Sequence, residues 1–275
     1  MIESKKRNDG RSFNELRPLK IQYNVFGYAA CSVLFELGNT KVQCSVTLQE
    51  GVPPFLRNQG VGWLTAEYFM LPTATATRTQ RDSTLPKPNG RSVEISRLIG
   101  RALRSIVDLK KLGEKTIVID CDVLQADGGT RTACISGASV ALEHAIAQWT
   151  LNKQIPQGVL REGIAAISAG VWKGAVVLDP DFAEDSDIDS DFNFVLTRSG
   201  NIVELQGTAE KSVVSWVQFN EMQQYAVHGI SQLFDFFDAN KSLAPALTHG
   251  SPAAERPLID SGKRKNAPMF SLMNR

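Results

Sequence analysis

The sequence is poor in histidine: His144, His228 and His249 lie far apart along 275 residues. That scatter indicates neither a histidine triad nor a histidine metal cluster, and each reads as a surface or capping residue. Cys31, Cys44, Cys121 and Cys134 sit singly in apolar patterns with no CxxC pair. They read as buried thiols, which argues against a zinc site. No apolar run approaches a membrane span, and the opening MIESKKRNDG lacks the apolar stretch of a signal peptide, so the expectation is a cytoplasmic protein with no membrane partner. Neither sign of charge dominates, with a formal net charge of +1. No GxxxxGK[ST] loop is present, which leaves hydrolysis of a nucleoside triphosphate, or a small-molecule kinase, without a phosphate-binding loop. No residue stands out as a covalent nucleophile.

What is present is a core-forming composition, 43% hydrophobic, long enough for one large domain or two small ones. Charge is segregated along it. Residues 57–104 carry eight bases against three acids, among them Arg57, Arg78, Arg81, Arg91, Arg97, Arg101 and Arg104, whereas residues 179–191 carry seven acids and no base. A basic surface and an acidic pole on one fold suit a site that holds phosphates together with a divalent cation.

The most informative stretch is LQADGGTRTACISGASVALEHAI, residues 124–146, in which a strand-like run passes through two glycines into a Thr-Arg-Thr that opens a helix. Free amides at a helix start, the positive end of its dipole, the hydroxyls of Thr130 and Thr132 and the Arg131 guanidinium converge on one space. Arg131, a fork of donors with no evident partner, suits a phosphate better than a structural turn does.

Alternating runs at 29–37 and 40–49 across Gly38-Asn39 predict a hairpin, and 61–71 would extend it as a third strand of a meander. Residues 73–90 form a polar loop ending at Arg91, long enough to be functional. Helical spacing of Ile95, Leu98, Ile99, Ala102, Leu103 and Ile106 predicts an amphipathic helix over 92–107. KTIVIDCDVL reads as a strand and 132–149 as a second helix. AAISAGVW, GAVVLD, FNFVLT and NIVELQG read as four more strands, and 219–237 as a third helix. Strands and helices are partly segregated, which predicts an α+β fold of layered sheets and helices in a single large domain spanning 1–240. Residues 241–275, with four prolines and no period, read as a disordered tail.

AEDSDIDSDFN, residues 183–193, brings Asp185, Asp187, Asp189 and Asp191 into one segment that would present alternate carboxylates on one face if extended. Oxygen ligands of this density suit a hard cation such as Mg²⁺. A phosphate cradle, a divalent cation and an arginine-rich surface together point to phosphoryl or nucleotidyl transfer, in which positioning and charge neutralisation supply the catalysis.

At these motifs the chain resembles ribonuclease PH, of the phosphorolytic 3′-exoribonuclease family that includes polynucleotide phosphorylase and the exosome ring subunits. The resemblance rests on RNDGRSFNELRPL, GNTKVQCSVTLQEGVPPFLRNQG, GWLTAEYFMLP, NGRSVEISRLIGRALR, IDCDVLQADGGTRTACISGA, EDSDIDSDFN and VELQGTAE, in that order over residues 7–212. It implies a ribonuclease PH fold, a homohexamer built as a trimer of dimers, and removal of 3′ nucleotides from transfer RNA precursors with inorganic phosphate as co-substrate, a reversible nucleotidyltransfer. It places phosphate ligands at Arg91, Gly129, Thr130 and Arg131, and catalytic, Mg²⁺- or Mn²⁺-linked carboxylates at Asp185 and Asp191, with Asp187 and Asp189 as bystanders. RNA-gripping arginines fall on Arg78 and Arg81; Thr73 stands where family members commonly carry a third. Ring paralogues that bind RNA without turnover tend to lose the phosphate arginine or the acidic pair, and this chain has both.

Overall fold

The computed structural model describes residues 7–84, 86–87 and 89–248. In chain order the elements are β1 (Leu19–Tyr23), β2 (Cys31–Leu37), β3 (Thr40–Glu50), β4 (Trp63–Met70), α1 (Gly90–Ser105), α2 (Leu109–Leu112), β5 (Lys115–Gln125), α3 (Thr130–Leu151), β6 (Ile164–Trp172), β7 (Ala175–Leu178), α4 (Phe182–Asp185), β8 (Ser190–Thr197), β9 (Ile202–Ala209) and α5 (Trp216–Ala239). The fold is α+β, as the segregation of strand and helix patterns predicts.

β2 and β3 form the expected hairpin, closed at Leu37↔Thr40 with Gly38 at φ +59°. β4 is a strand, but it does not continue the meander. The sheet order is β1-β2-β3-β5-β4, with β5 inserted between β3 and β4 and running parallel to β4. A parallel neighbour needs a long crossover, which the 73–90 loop, α1 and α2 supply. β1 escaped sequence reading because its five residues bury only Ile21 below the surface, too short an alternation to register. The second sheet is antiparallel, in the order β7-β6-β8-β9.

Helix α3 lies between the sheets, against β2 and β3 on one side and β6 on the other. This position explains its composition. Fifteen of its 22 residues are buried and it has no polar face, as a helix enclosed on all sides requires. At Gly137 an added Cβ would stand 3.1 Å from Cys44 Sγ and 3.3 Å from Phe35 Cβ, so the helix approaches the hairpin as closely as a bare backbone allows. Its buried hydroxyls are satisfied on β6: Ser136 Oγ donates to the Ala166 carbonyl at 3.1 Å, and Ser139 Oγ accepts from the Ile164 amide at 3.0 Å. One apolar core spans both sheets, and the four cysteines are free and buried in it.

Two acids of the acidic pole are fully buried, Glu184 against Arg7 in a two-pronged pair at 2.8 and 2.5 Å and Asp179 against Arg17, and two expectations below are corrected. Removing one partner of such a pair leaves an uncompensated charge and costs about 3–5 kcal/mol. The segment after Lys241 is placed as far as Thr248, because Gln148 holds the Thr248 backbone with Nε2 to its carbonyl at 2.6 Å and Oε1 to its amide at 3.1 Å. Residues 249–275, with His249, lie outside the described residues. His144 is neither a surface nor a capping residue; it is half-buried on α3 beside the Tyr23 ring, and burial holds its imidazole below the usual range. Among the described residues no helix is long and apolar enough to cross a membrane.

Candidate active site

Two helices begin side by side at this site. α3 starts after Gly128 and Gly129, at φ +78° and +65°, a left-handed pair that side chains rarely adopt. Gly128 has a second reason to be glycine, since a Cβ there would lie 2.5 Å from the Pro180 carbonyl oxygen. Gly129 is the N-cap and brings no side-chain cap, so no side chain of the cap takes up the amides of the first turn. This is the arrangement an anion completes.

The hydroxyls expected there are turned inward instead. Thr132 is fully buried, with Oγ1 donating to the Gly129 carbonyl at 3.0 Å, and Thr130 Oγ1 meets the Tyr68 hydroxyl at 3.0 Å. Their β-branched stems are buried under the helix. Nor is Arg131 unpartnered: its Nη2 lies 3.2 Å from Glu94 Oε2, because α1 and α3 start next to each other. The pair is partly exposed and therefore weak, which leaves Arg131 able to turn to a stronger anion.

α1 begins where the Asn89 side chain accepts from the Arg91 amide at 3.0 Å, leaving the Arg91 side chain exposed in the first turn. The loop before it is tied down at Asp82, which accepts from Ser92 Oγ at 2.5 Å and Asn89 Nδ2 at 3.4 Å. Arg78 and Arg81 are exposed on that loop. Tyr68 lies beneath the helix starts; burial pushes its phenol up, and the positive charges of Arg91 and Arg131 act on it in the opposite sense.

Opposite this positive ground stand the carboxylates. The acidic segment is not extended: Asp185 ends the single turn of α4, which Asp181 and Glu184 close with a capping box, and Asp191 lies on β8. The turn and the strand still bring them together. Burial first, then repulsion from Asp185 and Glu210, pushes Asp191 up to about 6, against the pull of Arg131 and a hydrogen bond from Asn193. Asp185 is raised by burial and by Glu210, and lowered by Arg91, Arg17 and Arg131. Asp187 is drawn off by Lys211 at 2.8 Å, and Asp189 accepts from the Gly174 amide at 3.3 Å. Under the site Ser168 Oγ donates to Asn193 Oδ1 at 2.8 Å and Asn193 Nδ2 donates to Asp191 Oδ2 at 3.2 Å, with Thr132 Oγ1 packed 3.5 Å from Ser168 Oγ.

Family models describe this combination. Residues 15–148 match domain 1 of the 3′ exoribonuclease family, RNase PH, and residues 164–228 match its domain 2. The chain belongs to the RNase PH family. The solved structures it resembles agree at the level of fold: rice (Oryza sativa) Rrp46, at 22% identity over 86% of this chain and all of that one, with a TM-score of 0.69; the Archaeoglobus fulgidus exosome with RNA bound to its active site, at 24% identity over 84% and 92%, TM-score 0.71; and an archaeal exosome core, at 24% over 85% and 91%, TM-score 0.68.

In this chain the folding brings Arg91, Gly129, Thr130, Arg131, Asp185 and Asp191 to one place. Four participants went unread in the sequence. Tyr68 sits in the quoted GWLTAEYFMLP but looks like an ordinary strand aromatic. Asn193 and Ser168 face each other across paired strands β6 and β8, a relation no local pattern shows. Glu210 closes VELQGTAE, and its signal was an acid just past the strand that pairs with Asp191. Asp185 and Asp191 fit a divalent cation on one observation above all: Asp191 Oδ1 is buried with no hydrogen-bond partner, on a carboxylate already crowded by two others. Among the described residues no three His, Cys, Asp or Glu side chains cluster to hold an ion by themselves, so water and substrate phosphate would complete its shell.

Proposed function

We propose that this protein is a phosphate-dependent 3′-to-5′ exoribonuclease that trims the 3′ ends of transfer RNA precursors and releases nucleoside diphosphates. The observation that carries the reading is the juxtaposition of an α3 start without a side-chain cap, flanked by Arg91 and Arg131, with a half-buried carboxylate pair that burial and neighbouring acids push up. Inorganic phosphate fits the first half of that arrangement. The amides from Gly129 onward and the two guanidinium groups fix it without using up its nucleophilic oxygen.

Held there, a phosphate oxygen attacks the phosphorus of the terminal linkage in line. The bond to the 3′-oxygen of the preceding nucleotide breaks, that oxygen takes up a proton, and the terminal nucleotide leaves as a 5′-diphosphate. Arg91 and Arg131 hold the added negative charge, and Ser168 through Asn193 holds the Asp191 carboxylate in place. Asp185 and Asp191 would hold Mg²⁺ or Mn²⁺, which supplies charge neutralisation at the scissile phosphate when bound. A phosphorolytic product conserves the energy of the cleaved linkage in a diphosphate, so the reaction runs backward when nucleoside diphosphates are abundant. Arg78 and Arg81, exposed on the loop into α1, take the RNA backbone. The assembly proposed is a homohexameric trimer of dimers, measured as mass in native solution.

The test is incubation of RNA bearing a free 3′ end with ³²P-labelled inorganic phosphate. Label in a nucleoside diphosphate is expected. Unlabelled monophosphates, or a rate indifferent to phosphate, would reject phosphorolysis; RNA retained with no turnover would leave a binding protein in its place. The same assay on precursor and mature transfer RNA decides the substrate.

A further inference from the structure

Arg17 is buried, 4% exposed, and every contact of its guanidinium runs to the two loops that form the site. Its Nε and Nη2 donate to Asp179 Oδ2 and Oδ1 at 3.0 and 2.6 Å, and its own backbone amide donates to the same Asp179 Oδ2 at 2.8 Å. Its other edge is spent on the glycine loop: Nη1 donates to the Asp127 carbonyl and Nη2 to the Gly128 carbonyl at 3.3 Å. The stem crosses the β2–β3 turn so closely that a Cβ on Gly38 would stand 2.6 Å from Arg17 Cδ, and a Cβ on Gly129 would stand 3.2 Å from Nη2.

These contacts fix orientation. In a planar trans peptide the C=O and the following N–H point in opposite directions. With the carbonyls of Asp127 and Gly128 drawn onto the guanidinium, the amides of Gly128 and Gly129 point away from it. Gly128 and Gly129 both take positive φ, and glycine populates either sign of φ about equally, so local preference alone does not fix this orientation. Thr40 assists, its Oγ1 donating to the Gly128 carbonyl at 2.6 Å and accepting from the Asp127 amide at 3.0 Å, and Arg17 joins this loop to the acidic one through its fork on Asp179. The acidic side is anchored at Asp179, six residues before Asp185, and the Arg17 charge also acts on Asp185. Asp127 closes the same joint, its Oδ1 accepting from the Phe182 amide at 3.3 Å.

We infer that Arg17 is a positioning residue for the phosphate cradle: its planar fork holds two carbonyls inward so that the succeeding amides face the anion, and clamps the cradle to the loop that bears Asp185. This rests on the phosphate-binding reading of the site. The fork geometry is essential, because a lysine ammonium retains the charge but cannot span the Asp179 carboxylate and two carbonyls in one plane.

The experiment is direct binding of inorganic phosphate, by calorimetry or ³¹P line broadening, to the wild type and Arg17→Lys, with KM for phosphate, kcat and RNA retention measured alongside circular dichroism. A folded Arg17→Lys should bind phosphate about tenfold or more weakly, with KM for phosphate rising by more than kcat falls and RNA retention within twofold. A folded variant whose phosphate affinity lies within twofold of wild type overturns the inference. If Arg17→Lys fails to fold, Asp179→Asn, which keeps an acceptor for the guanidinium but loses the charge, decides in the same way: weakened phosphate binding supports positioning, and unchanged binding overturns it. A wild type that binds no phosphate overturns the site reading and this inference with it, whereas wild-type binding with indifferent variants overturns this inference alone.

Discussion

Replacing Asp191 with Asn should stabilise the protein at neutral pH while it disables catalysis. In the folded chain burial, Asp185 and Glu210 raise the Asp191 carboxyl from its ordinary 3.8 to about 6. That gap corresponds to about 3 kcal/mol by which ionisation disfavours the native state. The folded-state value is the higher one, so the stability tied to the protonated form is fully present below pH 3.8 and is lost as pH rises through about 6. Asparagine keeps the shape and an acceptor for Asn193, but it leaves a buried amide N–H without a partner, at about 1–2 kcal/mol. The net expectation is a variant about 1–2 kcal/mol more stable than wild type at pH 7.5 and less stable by a similar amount at pH 4. Urea denaturation of both proteins in a chelator at the two pH values measures it, with equal m-values required for the comparison. A stability difference that stays within about 0.5 kcal/mol between the two pH values would refute the argument that Asp191 is strained by its charge. Adding Mg²⁺ at pH 7.5 should raise the wild type and leave the variant unmoved; equal gains would place the cation elsewhere.

Arg131→Ala should reduce phosphorolysis by about a hundredfold or more, as loss of a donor to the reacting phosphate does elsewhere, while filter retention of RNA persists; equal loss of both would merge the cradle with the RNA path. The double change Arg78→Ala with Arg81→Ala should raise KM for RNA and flatten its salt dependence, with phosphate affinity unchanged in titration. Gly128→Ala should cost about 3 kcal/mol or more in thermal unfolding and abolish phosphate binding, because a Cβ there meets the Pro180 carbonyl at 2.5 Å on a backbone at φ +78°; a variant of normal stability and affinity would show that the loop has room.

The elements of this chain were legible wherever their period was long and bounded by glycine. Both halves of the β2–β3 hairpin, α1 with its amphipathic stripe, β5 and the four strands of the second sheet all sit where local pattern puts them, since hydrophobic spacing acts on neighbours in sequence. The last helix begins at Trp216 rather than 219 because the Ser215–Gln218 capping box stops it earlier than the apolar pattern shows.

Residue chemistry alone picked out the glycine-led helix start at GGTRT and the acids at 183–193 that the fold brings together, because glycine pairs, helix starts and carboxylate density are local features of the chain. Pairing across space was decided only by the tertiary fold. The chain's one-dimensional order does not say that β5 inserts beside β4, that Arg131 meets Glu94, that Thr130 and Thr132 turn inward, or that Asp185 on a helical turn meets Asp191 on a strand. Above all it does not say which acids are neutralised: Asp179 and Glu184 read like their neighbours, yet they are buried on arginines from the first seventeen residues, while Asp191 is half-buried with its Oδ1 enclosed and unpartnered. Burial and partner choice are long-range properties, and they separate the carboxylates that hold the fold from those left free for chemistry.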